Sequence, residues 1–206
     1  MSTIDYYNEN AEEYYKQTVE VDMQELYKPF MELLPEGSHI LDAGCGSGRD
    51  TLFFIKKGYQ VTAIDGSEVL AQKSSQLTGQ KTIHLKFEDL SFKSQFEGIW
   101  ACASLLHIPK KDMKGILKKL SDALKVNGVL YVSFKYGDKE EVRSGRRFSY
   151  YNEDSFERLL KTQNELSLES IFVTKDVRPN RSDEKWLNAL IKKQFCNNNK
   201  PYSSMR

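Results

Sequence analysis

The chain has 206 residues, with 30 Lys and Arg against 29 Asp and Glu and a formal net charge of +1, so no overall field draws it to nucleic acid or to an anionic membrane. No apolar run is long enough to span a bilayer, and the N-terminal Met1-Ser2-Thr3-Ile4-Asp5 has neither a cationic region nor an apolar signal core, which predicts a cytoplasmic protein. Cys45, Cys102 and Cys196 are widely separated and form no C-x-x-C pair, which points to reduced, buried or incidental thiols and to no metal site.

The length suits a single domain with a sizeable core. Residues Asp5 to Tyr15 and Asp22 to Leu34 mix polar and apolar positions at helical spacing, the second stretch stopping at Pro35-Glu36-Gly37;. A first strand over Ser38 to Asp42 drops into the turn Gly44-Cys45-Gly46-Ser47-Gly48 and a helix that reaches Lys57. Glycine at every second position lets the chain bend sharply and lets a ligand touch bare backbone, with the free N–H groups of the following helix facing the turn. In a dinucleotide fingerprint counted from Gly44 and Gly46 the third glycine falls on Arg49, whose bulk spoils close helix-to-strand packing;. A P-loop is excluded as well, because no Gly-Lys-Ser or Gly-Lys-Thr follows;.

The second strand, Tyr59 to Asp65, ends in an acid placed to accept hydrogen bonds from both hydroxyls of a ribose;. Then come a helix over Ser67 to Gln76, strands over Thr82 to Lys86 and Gly98 to Ala103, a helix over Lys110 to Leu124 and a strand over Asn127 to Phe134. Such alternation predicts a parallel sheet. Beyond it, Arg143 to Tyr151 reads as a loop, Asn152 to Leu160 as a helix, and Arg178-Pro179-Asn180-Arg181 as a second loop. Ser167 to Asp176 and Trp186 to Phe195 read as extended segments that pair, although Trp186, Leu187, Leu190 and Ile191 also have helical spacing. The only low-complexity tract is the short tail Asn197-Asn198-Asn199-Lys200-Pro201.

Ile40 to Asp50, with Asp65 after the second strand, resembles motifs I and II of the Rossmann-like (class I) S-adenosylmethionine-dependent methyltransferases. Phe87-Glu88-Asp89-Leu90 is similar to the acidic turn that reads the adenine, Gly98 to Ile108 to strand four with its active-site exit, and Asn127 to Phe134 to strand five. More narrowly, Gly48-Arg49-Asp50, Gly58-Tyr59-Gln60-Val61, Tyr6-Tyr7-Asn8 and Tyr14-Tyr15 resemble the small bacterial tellurite-resistance-type methyltransferases. The likeness implies an α/β fold: a seven-stranded, mostly parallel, doubly wound sheet with a C-terminal antiparallel hairpin. It implies one domain over 1–206, with a helical lid over 1–34, a cofactor-binding core over 35–135, and substrate-side loops and C-terminal strands over 136–206.

The same resemblance implies S-adenosyl-L-methionine as cofactor, bound by Tyr14, Asp42, Gly44, Cys45, Gly46, Gly48, Arg49, Asp65, Gly66, Ser67, Glu88, Asp89, Leu90 and Ser104. Asp42 orients the glycine loop, reaches the methionine ammonium or caps the turn; either Asp89 or Glu88 reads the adenine. His107 is placed as general base, as a group that orients the acceptor, or as a cap on strand four beside Pro109;. Cys102 falls inside an apolar strand, against a nucleophilic role.

On the acceptor side, Arg146, Arg147 and Tyr150, with Arg178 and Arg181, interleave arginine with aromatic residues, and Tyr6 and His107 join them. Arginine forks bind carboxylate or phosphate at two points, so an anionic acceptor is one reading and ordinary solvated surface the other. Three functions compete: methylation of a small, anionic metabolite or metalloid compound; methylation of an RNA base or a wobble-uridine carboxymethyl group; and a non-catalytic cofactor-binding subunit. Neutral charge favours the small-molecule substrate over nucleic acid, with no membrane partner and a monomer or homodimer as the assembly.

Overall fold

Strands and helices alternate from residue 39 to residue 135, and the sheet they build carries everything else. The computed structural model describes residues 2–178, 181 and 183–195; Cys196, the Asn197 to Pro201 tail, Pro179 and Asn180 lie outside the described residues. Helices α1 (Thr3–Glu9), α2 (Ala11–Thr18) and α3 (Gln24–Met31) come first. A single helix was expected over Asp5 to Tyr15. The break falls at Asn10, whose side-chain amide donates to the Tyr6 carbonyl at 2.8 Å and so competes with the helical ladder.

Strand β1 (His39–Ala43), α4 (Arg49–Lys56), β2 (Gln60–Asp65), α5 (Glu68–Thr78), β3 (Ile83–His84), β4 (Phe96–Ala101), α6 (Lys110–Ala123) and β5 (Leu124–Lys135) follow in turn. Next are β6 (Glu140–Arg143), β7 (Arg146–Ser149), α7 (Glu153–Leu160), β8 (Leu166–Lys175) and β9 (Lys185–Lys193). The seven-stranded sheet has the order β3-β2-β1-β4-β5-β9-β8. Pairs from β3 to β5 are parallel, and β9 runs against both β5 and β8. Strand order reverses between β1 and β4, where open α/β sheets bind ligands beyond the carboxyl ends.

The Arg143 to Tyr151 region is a hairpin rather than a loop. β6 and β7 pair antiparallel around Ser144-Gly145, both at positive φ (51° and 74°), the combination a tight two-residue turn requires. The Ser-Gly dipeptide between two extended runs was the available signal. The segment from Trp186 is extended as far as Lys193, as strand β9, whose residues pair with both β5 and β8; Gln194 and Phe195 lie beyond the strand.

Alternation along the strands sends side chains to two faces. Leu41, Ile99 and Leu130 pack under Met113, Leu117 and Leu120 of α6. Ile40, Trp100 and Tyr131 pack under Phe30 of α3 and Phe54 of α4, with the Trp100 and Tyr131 rings stacked at 3.9 Å. No helix among the described residues is long and apolar enough to cross a membrane.

Candidate active site

β1 delivers the chain into the turn at Gly44–Gly48, which three contacts fold onto β2. The Gly44 and Cys45 amides donate to the Ile64 carbonyl at 2.9 and 3.0 Å, and the Gly46 amide donates to Asp65 Oδ2 at 2.8 Å. Asp65 Oδ1 accepts from the Ser67 amide at 2.7 Å, and Ser67 in turn caps α5. Burial pushes the Asp65 pKa up, and the two amides oppose that shift. Each carboxylate oxygen has accepted one N–H and keeps a lone pair.

Gly48 has φ +84°, and a Cβ there would stand 2.9 Å from the Ser74 backbone. Gly48→Ala is therefore expected to destabilise the fold by about 2–4 kcal/mol through a left-handed alanine and a forced α5 shift, read as a lower urea midpoint. An unchanged midpoint would show that the turn relaxes freely.

Two cavities adjoin at this end of the sheet. One, of about 260 Å³, is lined by Gly46, Asp65, Gly66, Ser67, Phe87, Glu88 and Ser104 among others. The other, of about 280 Å³, is lined by Tyr6, Cys45, Arg49, Arg146, Arg178 and Arg181 among others. Tyr7, Tyr14, Gly44, Ala103 and His107 line both. Asp42, Gly48, Asp89 and Leu90 line neither. Asp42 is buried and accepts from Thr51 Oγ1 at 2.5 Å, which ties the end of β1 to the start of α4; burial, with the Asp50 charge nearby, pushes its pKa up. Glu88, of the two acids expected near an adenine, is the one that reaches the cavity.

Arg49 and Asp50 form a buried pair. Asp50 accepts from Arg49 Nε at 2.6 Å, the Tyr27 hydroxyl at 2.5 Å and Trp100 Nε1 at 2.8 Å. These partners overcome desolvation and hold its pKa down. Arg49 also reaches the Thr18 carbonyl at 3.3 Å, tying the end of α2 to the glycine turn.

His107 Nδ1 lies 2.7 Å from the Arg147 carbonyl and Nε2 lies 2.8 Å from the Tyr7 hydroxyl. A carbonyl only accepts, so Nδ1 carries the ring proton and Nε2 accepts from Tyr7. Burial drives the His107 pKa down to about 4, which leaves the imidazole neutral throughout the physiological range. A base titrating near neutral pH is not what this environment makes.

Arg147 and Tyr150, expected on the acceptor side, face away from both cavities. The Arg147 guanidinium pairs with Glu140 and the Tyr150 hydroxyl donates to Glu141 at 2.7 Å. On alternating positions of β7, Arg146 lines the cavity and Arg147 does not;. Tyr7 was absent from the expected site. Its signal was the seven-residue spacing to Tyr14, and the two rings meet edge to face at 5.1 Å.

The chain fits an adenosyl group. The glycine turn brings backbone to the cavity, a Cβ on Gly46 would press on the Tyr14 ring at 3.0 Å, the Asp65 carboxylate keeps capacity for a vicinal diol, and Phe87 and Glu88 line the same cavity. Among the described residues no group of three His, Cys, Asp or Glu could hold a metal ion.

Comparison with known proteins agrees with this geometry. A family described as "Methyltransferase domain" matches residues 40–128. YqeM of Bacillus subtilis (strain 168), provisionally named a methyltransferase, is 30% identical over 132 residues, covering 59% of this chain and 52% of that protein. The chain thus spans about half the length of the curated relatives it matches. Among solved structures, the 1,6-didemethyltoxoflavin-N1-methyltransferase of Burkholderia thailandensis aligns with TM-score 0.76 and 20% identity, over 93% of this chain and 85% of that one. A TehB-like S-adenosylmethionine-dependent methyltransferase from Corynebacterium glutamicum aligns with TM-score 0.69 and 22% identity, over 92% of this chain and 100% of that one.

Proposed function

We propose that this chain, which belongs to the Rossmann-like (class I) S-adenosylmethionine-dependent methyltransferases, transfers the cofactor's methyl group to a small anionic acceptor bound beside Arg146. Its cofactor is S-adenosyl-L-methionine, for which Asp65, Gly46, Phe87 and Glu88 form the adenosyl side.

One observation carries the acceptor reading. The Arg146 guanidinium lies 4.2 Å from the Tyr6 ring and 5.3 Å from Phe148, and its Nε is buried without a hydrogen-bond partner among the described residues. Of the other arginines that line the same cavity, Arg49, Arg178 and Arg181 each face an acid, Asp50, Asp176 and Glu184, and Arg143 is exposed, 5.5 Å from the Phe148 ring. A buried guanidinium N–H without an acceptor is costly, and an anionic ligand supplies an acceptor and a counter-charge in two-point fashion.

Bound S-adenosylmethionine supplies a sulfonium methyl group open to in-line attack. Arg146 holds the acceptor, and the aromatic walls of Tyr6, Tyr7 and Phe148 keep water from the junction of the cavities. With His107 neutral and both its nitrogens engaged, the acceptor reacts as a nucleophile already ionised in solution. The arginine and aromatic stretch that also suits RNA has Arg147 and Tyr150 paired internally with Glu140 and Glu141, so the small-molecule reading is preferred.

The purified protein, given methyl-labelled cofactor and cell extract split into small-molecule, RNA and protein fractions, should label the anionic small-molecule fraction. Label in RNA alone, or nowhere, would reverse the reading. With the acceptor in hand, Arg146→Gln should raise its KM about tenfold or more and leave cofactor affinity unchanged. The exposed Arg158, paired at 3.5 Å with Asp138, provides the control: Arg158→Gln should change neither quantity.

A further inference from the structure

We propose that the Tyr7 hydroxyl is a positioning group for methyl transfer: His107 fixes it as a one-way acceptor at the wall shared by the two cavities. The inference rests on the cofactor reading above.

The hydroxyl's direction follows from a chain of hydrogen bonds. The Arg147 carbonyl can only accept, so His107 Nδ1 donates to it at 2.7 Å. His107 Nε2 must then accept, and the Tyr7 O–H proton is committed to it at 2.8 Å;. What Tyr7 has left is acceptor capacity, part of it turned toward the Arg146 guanidinium and part of it open to a ligand. Tyr7 lines both cavities and stands between Tyr14 and Arg146, with ring distances of 5.1 Å to Tyr14 and 6.0 Å to the Arg146 guanidinium carbon.

A group that can accept but not donate is suited to one occupant of that wall. Methyl C–H bonds on a sulfonium are polarised, and an oxygen lone pair attracts them weakly but directionally. The oxygen would therefore set the direction of the methyl rather than bind the cofactor tightly. A hydroxyl free to rotate would lose that direction; the imidazole removes the freedom. His107 thereby acts through Tyr7.

Helix α1 does not depend on this hydroxyl for its place. Thr3 Oγ1 accepts from the Arg147 amide at 3.0 Å, and Asn8 Oδ1 accepts from Ser67 at 2.7 Å. Removing one oxygen from Tyr7 should leave the lid seated, which separates positioning from simple latching.

The test uses the full chain, as wild type and Tyr7→Phe, with S-adenosylmethionine carrying a 13C methyl group. The bound methyl resonance should move between the two proteins while the cofactor Kd stays within about threefold, the effect expected of a weak contact. Methyl transfer kcat should fall about tenfold or more from misdirection. His107→Ala should lower kcat by a similar factor, and the double variant should lose no more than either single one. A bound resonance indifferent to Tyr7→Phe, or a raised Kd with unchanged kcat, would make Tyr7 a lid latch and overturn the proposal. Wild type with no bound methyl resonance at all would overturn the cofactor reading together with it.

Discussion

Replacing Arg49 with alanine should destabilise the protein by about 3–5 kcal/mol, the range for removing one member of a buried ion pair. Asp50 is 6% exposed and would keep its charge with only the Tyr27 hydroxyl and Trp100 Nε1 as partners. The loss has a second part. Arg49 Nη1 donates to the Thr18 carbonyl at 3.3 Å, an end of α2 whose carbonyls favour a cation, so the variant also releases the N-terminal helices from the glycine turn. Urea unfolding should show a large fall in midpoint, and amides in residues 11–18 should exchange faster. Because the penalty comes from the stranded carboxylate, Asp50→Asn added to Arg49→Ala should recover part of it. A loss below about 1 kcal/mol would mean that the pair is solvated in solution.

The second large effect is on cofactor affinity. Asp65→Asn should raise the Kd for S-adenosylmethionine about tenfold to a hundredfold, equivalent to about 1.5–3 kcal/mol. The carboxylate's two oxygens each hold a backbone amide, at 2.8 Å to Gly46 and 2.7 Å to Ser67, and each offers its remaining lone pair to a ribose hydroxyl. An asparagine keeps one oxygen and turns an NH2 group toward an N–H donor. The glycine turn should therefore lose order along with charge. Calorimetric titration measures the affinity, and circular dichroism checks that the sheet remains. A Kd within twofold of wild type would remove Asp65 from the cofactor site and leave it as the clasp between Gly46 and α5.

Arg146 and Arg147 show where reading residues in order runs out. Both belong to one arginine and aromatic cluster in the sequence, yet one lies over Tyr6 with no acid partner among the described residues and the other is bound to Glu140. A strand sends neighbours to opposite faces, and the cluster read as a loop carried no such alternation. Arg178 and Arg181 did come to the same cavity as Arg146, although the helix α7 and the strand β8 lie between β7 and them in the chain;. His107 reached the junction of the cavities as the exit of strand four suggested, but its protonation was set by the Arg147 carbonyl and by burial.

The parallel sheet, the glycine turn and the acid closing the second strand were legible in the order of residues, because each depends on short-range rules: side-chain periodicity, the positive φ that Gly48 adopts, and the short reach from a strand end to the next helix. Asp65 needed no distant partner to be found. Tyr7 did, for its meaning lies in a hydrogen bond to a residue 100 positions away, and so did the absence of an acid partner for Arg146 among the described residues. Pairing and desolvation are properties of surfaces brought together by the sheet order β3-β2-β1-β4-β5-β9-β8, and a buried group's proton or counter-charge is decided by whichever neighbours that order supplies.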